Sequence, residues 1–109
     1  MSMKPNFYSP LQIDNDGERV NAAGPLNWNG TQGDCKVSVT IKQTVNGEDV
    51  WAWGQSPNYE THAADWGAHT DTRGDQRLQP GPAHAWGVVT LTNSTDPPPL
   101  PWDQPVQLT

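Results

Sequence analysis

Seven consecutive residues restrict this chain more than anything else in it. From Cys35 to Ile41, apolar Cys35, Val37, Val39 and Ile41 alternate with polar Lys36, Ser38 and Thr40. Successive side chains of a strand point to opposite faces, so this pattern predicts a half-buried β-strand running on towards Val45. Asn46-Gly47 follows, two residues that tolerate positive φ, and then Val50-Trp51-Ala52-Trp53. That is the signature of a hairpin with a tight turn, with Trp51 and Trp53 on one face of the return strand. No comparable stretch shows the 3.6-residue period of a helix.

Further strands are expected on the same grounds. One runs from Trp86 to Thr92, with Trp86 a core residue in phase with Val88 and with a bulge or two-sided burial at Val89 and Leu91. Val106 and Leu108 predict a closing strand. Phe7, Leu11 and Ile13 predict an opening one, cut by Pro10 and so confined to an edge. Asp16-Gly17 marks a turn, with another strand in residues 18–28. A short strand or two is expected around Trp66 to Thr72, with Arg73-Gly74-Asp75 as a turn. The 10 Gly and 11 Pro oppose long helices and suit short strands joined by turns. With 109 residues there is room for one domain, 1–109, and a modest core. Only 33% of residues are hydrophobic, so at least half of the six Trp are expected to fill the interior. The fold class read from this is all-β, an immunoglobulin-like antiparallel β-sandwich of about seven short strands.

The last thirty or so residues carry a resemblance. Leu78-Gln79-Pro80-Gly81 is followed by His84, Trp86 and Val88 at alternate positions, by Asn93-Ser94, and by Pro101 to Thr109. This resembles the last two strands of a fibronectin type III domain. His84 stands where that family places Tyr, Asn93 falls one residue late, and residues 1–77 show no such match. The resemblance implies a sandwich, and a sandwich by itself implies no function.

Charge and composition narrow the functional classes. The net charge is −6. Such a chain repels a phosphate backbone and an anionic membrane, so neither nucleic acid nor membrane is an expected partner. No basic-then-apolar leader opens the sequence, which reads as cytoplasmic as given, or as a secreted mature fragment. The single Cys35 excludes an internal disulfide. Its phase with Val37 predicts a buried thiol and not a nucleophile.

Three constellations have chemical potential. His62, Asp65, His69, Asp71 and Asp75 gather imidazoles and carboxylates suited to a divalent metal, with His69 and Asp71 on one strand face. Their spacing fits no metal motif, and the plainer reading is a solvated polar loop. The carboxylates alone do not make a hydrolase, and phosphate-loop, nucleophile-elbow and zinc-helix motifs are missing from the sequence. No cofactor is expected. The tryptophans are the second set. Trp51 and Trp53, with Trp28, Trp66 or Trp102 nearby, would make a platform for sugar faces, and Asn27, Asn29, Gln55 and Asn58 would supply hydrogen bonds. At least one of Trp51 and Trp53 is expected at the surface. The third is Pro97-Pro98-Pro99-Leu100-Pro101, a polyproline segment read as a stiff loop between strands. The sequons at Asn29 and Asn93 matter only in a glycosylating host. Asp14-Asn15-Asp16 with Glu18 lacks the downstream Glu of a calcium loop and reads as a turn. The expected function is a non-enzymatic binding or accessory module for protein or carbohydrate. A carbohydrate-binding module using exposed tryptophans is the alternative, and a metal-dependent enzyme the third reading.

Overall fold

The computed structural model describes residues 6–25, 34–59, 65–92 and 101–109. Its elements are β1 (Gln12–Asp14), a 3-10 turn at Asn15–Gly17, β2 (Arg19–Pro25), β3 (Asp34–Val45), β4 (Glu48–Gln55), β5 (Asp65–Asp71), β6 (Gly81–Thr92) and β7 (Trp102–Leu108). The architecture is all-β. The seven strands form one curled antiparallel sheet in the order β1-β2-β5-β4-β3-β6-β7. Not all are short: β3 and β6 run for 12 residues each.

The hairpin forms as its residues dictate. Asn46 and Gly47 have φ of 53° and 82°, and Val45 pairs with Glu48 directly beyond them. Two positive-φ residues give the turn whose twist matches that of the flanking strands. Cys35, Val37, Val39 and Ile41 are buried, and Val50 and Ala52 of β4 join them. Gln43 continues the inward row. Its amide nitrogen donates to the Gln79 carbonyl (2.7 Å) and its oxygen accepts from the Gln79 N–H (2.8 Å). A buried amide therefore fixes where the chain enters β6, with its own polar atoms satisfied.

The phase expected for β6 is corrected. Trp86 and Val88 face outward, and Ala85, Gly87 and Val89 face the core. The ladder to β3 runs unbroken from Asp34–Thr92 to Lys42–His84, so the strand has no bulge there. Register decides the matter. Trp86 pairs with outward Thr40, and Gly87 with inward Val39. Gly87, inward and without a side chain, leaves the space above it to Trp102 of β7. A Cβ on Gly87 would lie 2.2 Å from the Trp102 ring. The largest side chains of this strand mark its outer face, not its inner one.

Among the described residues, the interior holds two tryptophans. Trp66 is 2% exposed, and its ring meets Phe7 edge-on at 5.3 Å and Trp102 at 6.4 Å. Two seams close the curl. On one side Leu11 bridges to Leu108 in parallel, with Leu11 N–H donating to the Gln107 carbonyl (2.8 Å) and Thr109 N–H to that of Leu11 (2.9 Å). Gln104 extends this seam by bonding both the N–H and the carbonyl of Phe7. On the other side β4 meets β5 through the single pair Trp53–Asp71. Beyond that pair the two strands splay, and the groove described below opens between them.

Candidate functional site

The outer face of β4, β3 and β6 carries a row of stacked aromatic rings. Thr40 and Lys42 of β3 each sit between a residue of β4 and one of β6: Thr40 between Trp53 and Trp86, Lys42 between Trp51 and His84. The indoles lean across this central strand. Trp51 stacks on Trp53 with centroids 6.4 Å apart and planes 10° from parallel, and on Trp86 at 5.9 Å and 24°. These are offset-stacked geometries, each worth about 0.5–1.5 kcal/mol beyond burial. Cations and an imidazole continue the row. The Arg73 guanidinium lies 5.0 Å from the Trp53 centroid, the Lys42 ammonium 5.5 Å from that of Trp51, and the His84 ring 4.5 Å from Trp86. Lys42 also faces Asp49 at 3.6 Å, and His84 faces Asp103 at 3.0 Å. Trp53 and Val88 remain 42% exposed.

Trp51 and Trp53 therefore stand on one surface, as expected, and Trp86 joins them, which the reading of the sequence missed. Trp66 is no part of that surface; it is corrected to the core, because the even-numbered residues of β5 face inward. Trp102 lies among the partly buried core residues. Asn58 lies away from the stack, with its amide on the Asp34 carboxylate (3.2 Å). Trp28, Asn27 and Asn29 fall outside the described residues, as do both sequons and residues 97–100 of the proline segment.

Of the residues proposed as metal ligands, the described ones do not converge. Asp65, His69 and Asp71 project outward at alternate positions of β5, each bound to a different neighbour. Asp65 accepts from the Tyr8 hydroxyl at 2.5 Å, and that bond pushes the Tyr8 pKa up. His69 Nδ1 is 2.6 Å from Asn21 Oδ1, and Asp71 accepts from Arg19 Nε at 2.9 Å. His62 lies outside the described residues. Among the described residues, no group of three or more His, Cys, Asp or Glu is placed to hold a metal ion. Asp14, Asn15 and Asp16 form the tight turn before β2, with Asn15 and Asp16 at positive φ.

Cys35 is fully buried, and burial pushes its thiol up to about 11, with Asp34 adding to the shift. Thiolate is the reactive form. At pH 8 the native protein is expected to react with DTNB at least about a hundredfold more slowly than the urea-unfolded chain. Equal rates would mean that the β3 face is not closed. The sign of the linked stability follows. Ionisation is disfavoured in the folded state, so stability falls as pH rises above 9, where the unfolded thiol begins to ionise.

A second feature adjoins the stack. A groove of about 470 Å³ runs where β4 splays from β5, lined by Asn21, Ala23, Gln55, Pro57, Tyr59, Gly67 and His69 among others. Gln55 is two residues along β4 from Trp53 and shares its face. The floor is the paired Ala23 and Gly67, flanked by the paired Asn21 and His69. The Tyr59 hydroxyl accepts from Gly67 N–H (2.9 Å) and donates to its carbonyl (3.3 Å), replacing the missing strand partner. Among the described residues, no Asp, Glu, Lys or Arg lines the groove. A glycine in the centre of a strand was the one sequence signal that pointed here. No protein-family model, curated protein or solved structure matches this chain.

Proposed function

We propose that the chain is a non-enzymatic binding module on an immunoglobulin-like sandwich, and that its ligand surface is the outer face of β4, β3 and β6. The strand order supports the sandwich reading. With the single-pair seam as the divide, β1-β2-β5 and β4-β3-β6-β7 correspond to the two sheets of an immunoglobulin-type domain, with β4 added beside the central strands.

The observation that carries the functional reading is the stack of Trp51, Trp53 and Trp86 outside the core. A chain with few large apolar residues spends half of its tryptophans on an outward sheet face. Exposed apolar surface rimmed by charge is characteristic of recognition sites, and Trp and Arg are the residues that most often dominate binding energy. The stack also holds its own geometry, so little side-chain freedom remains to be lost on binding.

The test is intrinsic tryptophan fluorescence titrated against two soluble libraries, one of neutral oligosaccharides and one of short peptides. At least one member is expected to give a saturable change, weakened about tenfold or more by Trp53→Ala, a loss of at least ~1.4 kcal/mol. No saturable change with either library, from protein that unfolds cooperatively, would remove this surface as a binding site. Carbohydrate is the second reading, and the groove beside Gln55, lined among the described residues without Asp, Glu, Lys or Arg, favours it.

A further inference from the structure

We propose that the groove over Ala23 and Gly67 seats a neutral saccharide, with Asn21, Gln55 and His69 holding its hydroxyls. This inference rests on the reading of the adjoining face as a ligand surface, and it names the ligand class and a seat that the tryptophan stack does not supply.

Three observations converge on it. The first is Gly67 itself. It sits mid-strand, where glycine weakens a sheet, and its φ does not require glycine. Among the described residues, the only atom within 4 Å of a Cβ built there is the Ala22 carbonyl oxygen, at an ordinary 3.7 Å. Neither sterics nor backbone conformation asks for glycine here. A missing side chain over open space is what close approach of a ligand to the strand requires. Ala23 across the ladder keeps the floor low on the other strand.

The second is the hydrogen-bonding inventory. His69 Nδ1 lies 2.6 Å from Asn21 Oδ1, an atom that only accepts, and the other ring nitrogen is a further polar group of the lining. The Asn21 amide nitrogen supplies donors. The Gln55 amide nitrogen spans to Ser38 Oγ at 3.4 Å, and its oxygen adds another acceptor. Donors and acceptors side by side suit hydroxyl groups, which do both. The third is charge. Among the described residues the lining holds no Asp, Glu, Lys or Arg, although 17% of the chain is charged. A phosphorylated, sulfated or carboxylated ligand would find no counter-charge among these lining residues, whereas Ala23, Gly67 and Pro57 offer apolar contact to the C–H face of a sugar ring. The volume falls in the range of small-molecule sites.

The experiment uses the full chain and a panel of cellohexaose, xylohexaose, mannohexaose, maltohexaose and N-acetylchitohexaose. Binding is followed by amide shifts in two-dimensional NMR. At least one glycan should give saturable shifts centred on Gly67, His69 and Gln55. Gly67→Val fills the groove with a residue that favours strands and should weaken that binding by at least about tenfold without lowering the melting temperature. Gln55→Ala leaves the floor untouched and should weaken it as well, which keeps the test intact if the valine variant folds poorly. Three results would overturn the inference: no glycan binds, the shifts map away from Gly67, or neither variant matters. Peptides binding at Trp53 while every glycan fails would leave the binding module standing without the saccharide seat. Failure of both libraries would remove both.

Discussion

Trp66→Ala is expected to destabilise the fold by about 3–5 kcal/mol, the range for deleting a large buried aromatic side chain. Trp66 is one of the largest fully buried side chains, and it joins β5 to Phe7 and to Trp102 of β7, elements far apart in sequence. The cavity it leaves is framed by the rings of Phe7 and Trp102, which lose their edge-on partner together. The total stability of a domain this size is of the order of 5–15 kcal/mol. Denaturant unfolding followed by far-ultraviolet circular dichroism measures the change. Trp66→Phe supplies the contrast. The indole N–H of Trp66 is buried with no partner among the described residues, and such a group costs about 1–3 kcal/mol. Phenylalanine removes it while keeping most of the apolar contact, so its cost should be less than half that of alanine. A loss below about 1 kcal/mol for Trp66→Ala would show that this ring is not the centre of the core.

Gly54→Ala is expected to cost about 3 kcal/mol or more, although it adds one methyl group. Gly54 faces inward on β4, beside the single pair that joins β4 to β5. A Cβ there would lie 1.8 Å from the His69 carbonyl oxygen and 3.0 Å from the Thr70 Cα. Both are backbone atoms of β5, and no rotamer change relieves the contact. The strands would have to separate, opening the seam and displacing Trp53, Gln55 and His69 together. The change should therefore appear twice: as a fall in the unfolding midpoint, and as altered tryptophan fluorescence in the protein that remains folded. An alanine variant as stable as the wild type would mean that β4 and β5 approach less closely than the seam requires. Gly67→Val is the natural comparison, because among the described residues a Cβ there meets only the Ala22 carbonyl oxygen at an ordinary 3.7 Å, and the change should be tolerated.

The β3–β4 hairpin was legible from residues alone. Its alternation, its Asn46-Gly47 turn and the shared face of Trp51 and Trp53 are all set within twenty residues of one another. Period-two burial and positive-φ turn chemistry are local properties. So are the strand at Val106 and Leu108, the buried Cys35 and the all-β class. The phase of β6 was not legible, because both of its faces carry apolar residues. Trp86 and Val88 look like core until it is known that Trp102, 15 residues further on, already occupies the space above Gly87. Trp66 was read as a candidate for the surface for the same reason: a lone indole between Asp65 and Gly67 carries no mark of the face it takes. Only the pairing of β2 with β5 turned it inward. The stack of three indoles needs two strands to flank Thr40, and the groove needs β4 to leave β5 after one pair. The tertiary structure alone decided both, since they depend on distances between strands that lie far apart in the chain, and side-chain periodicity within a strand has no information about them.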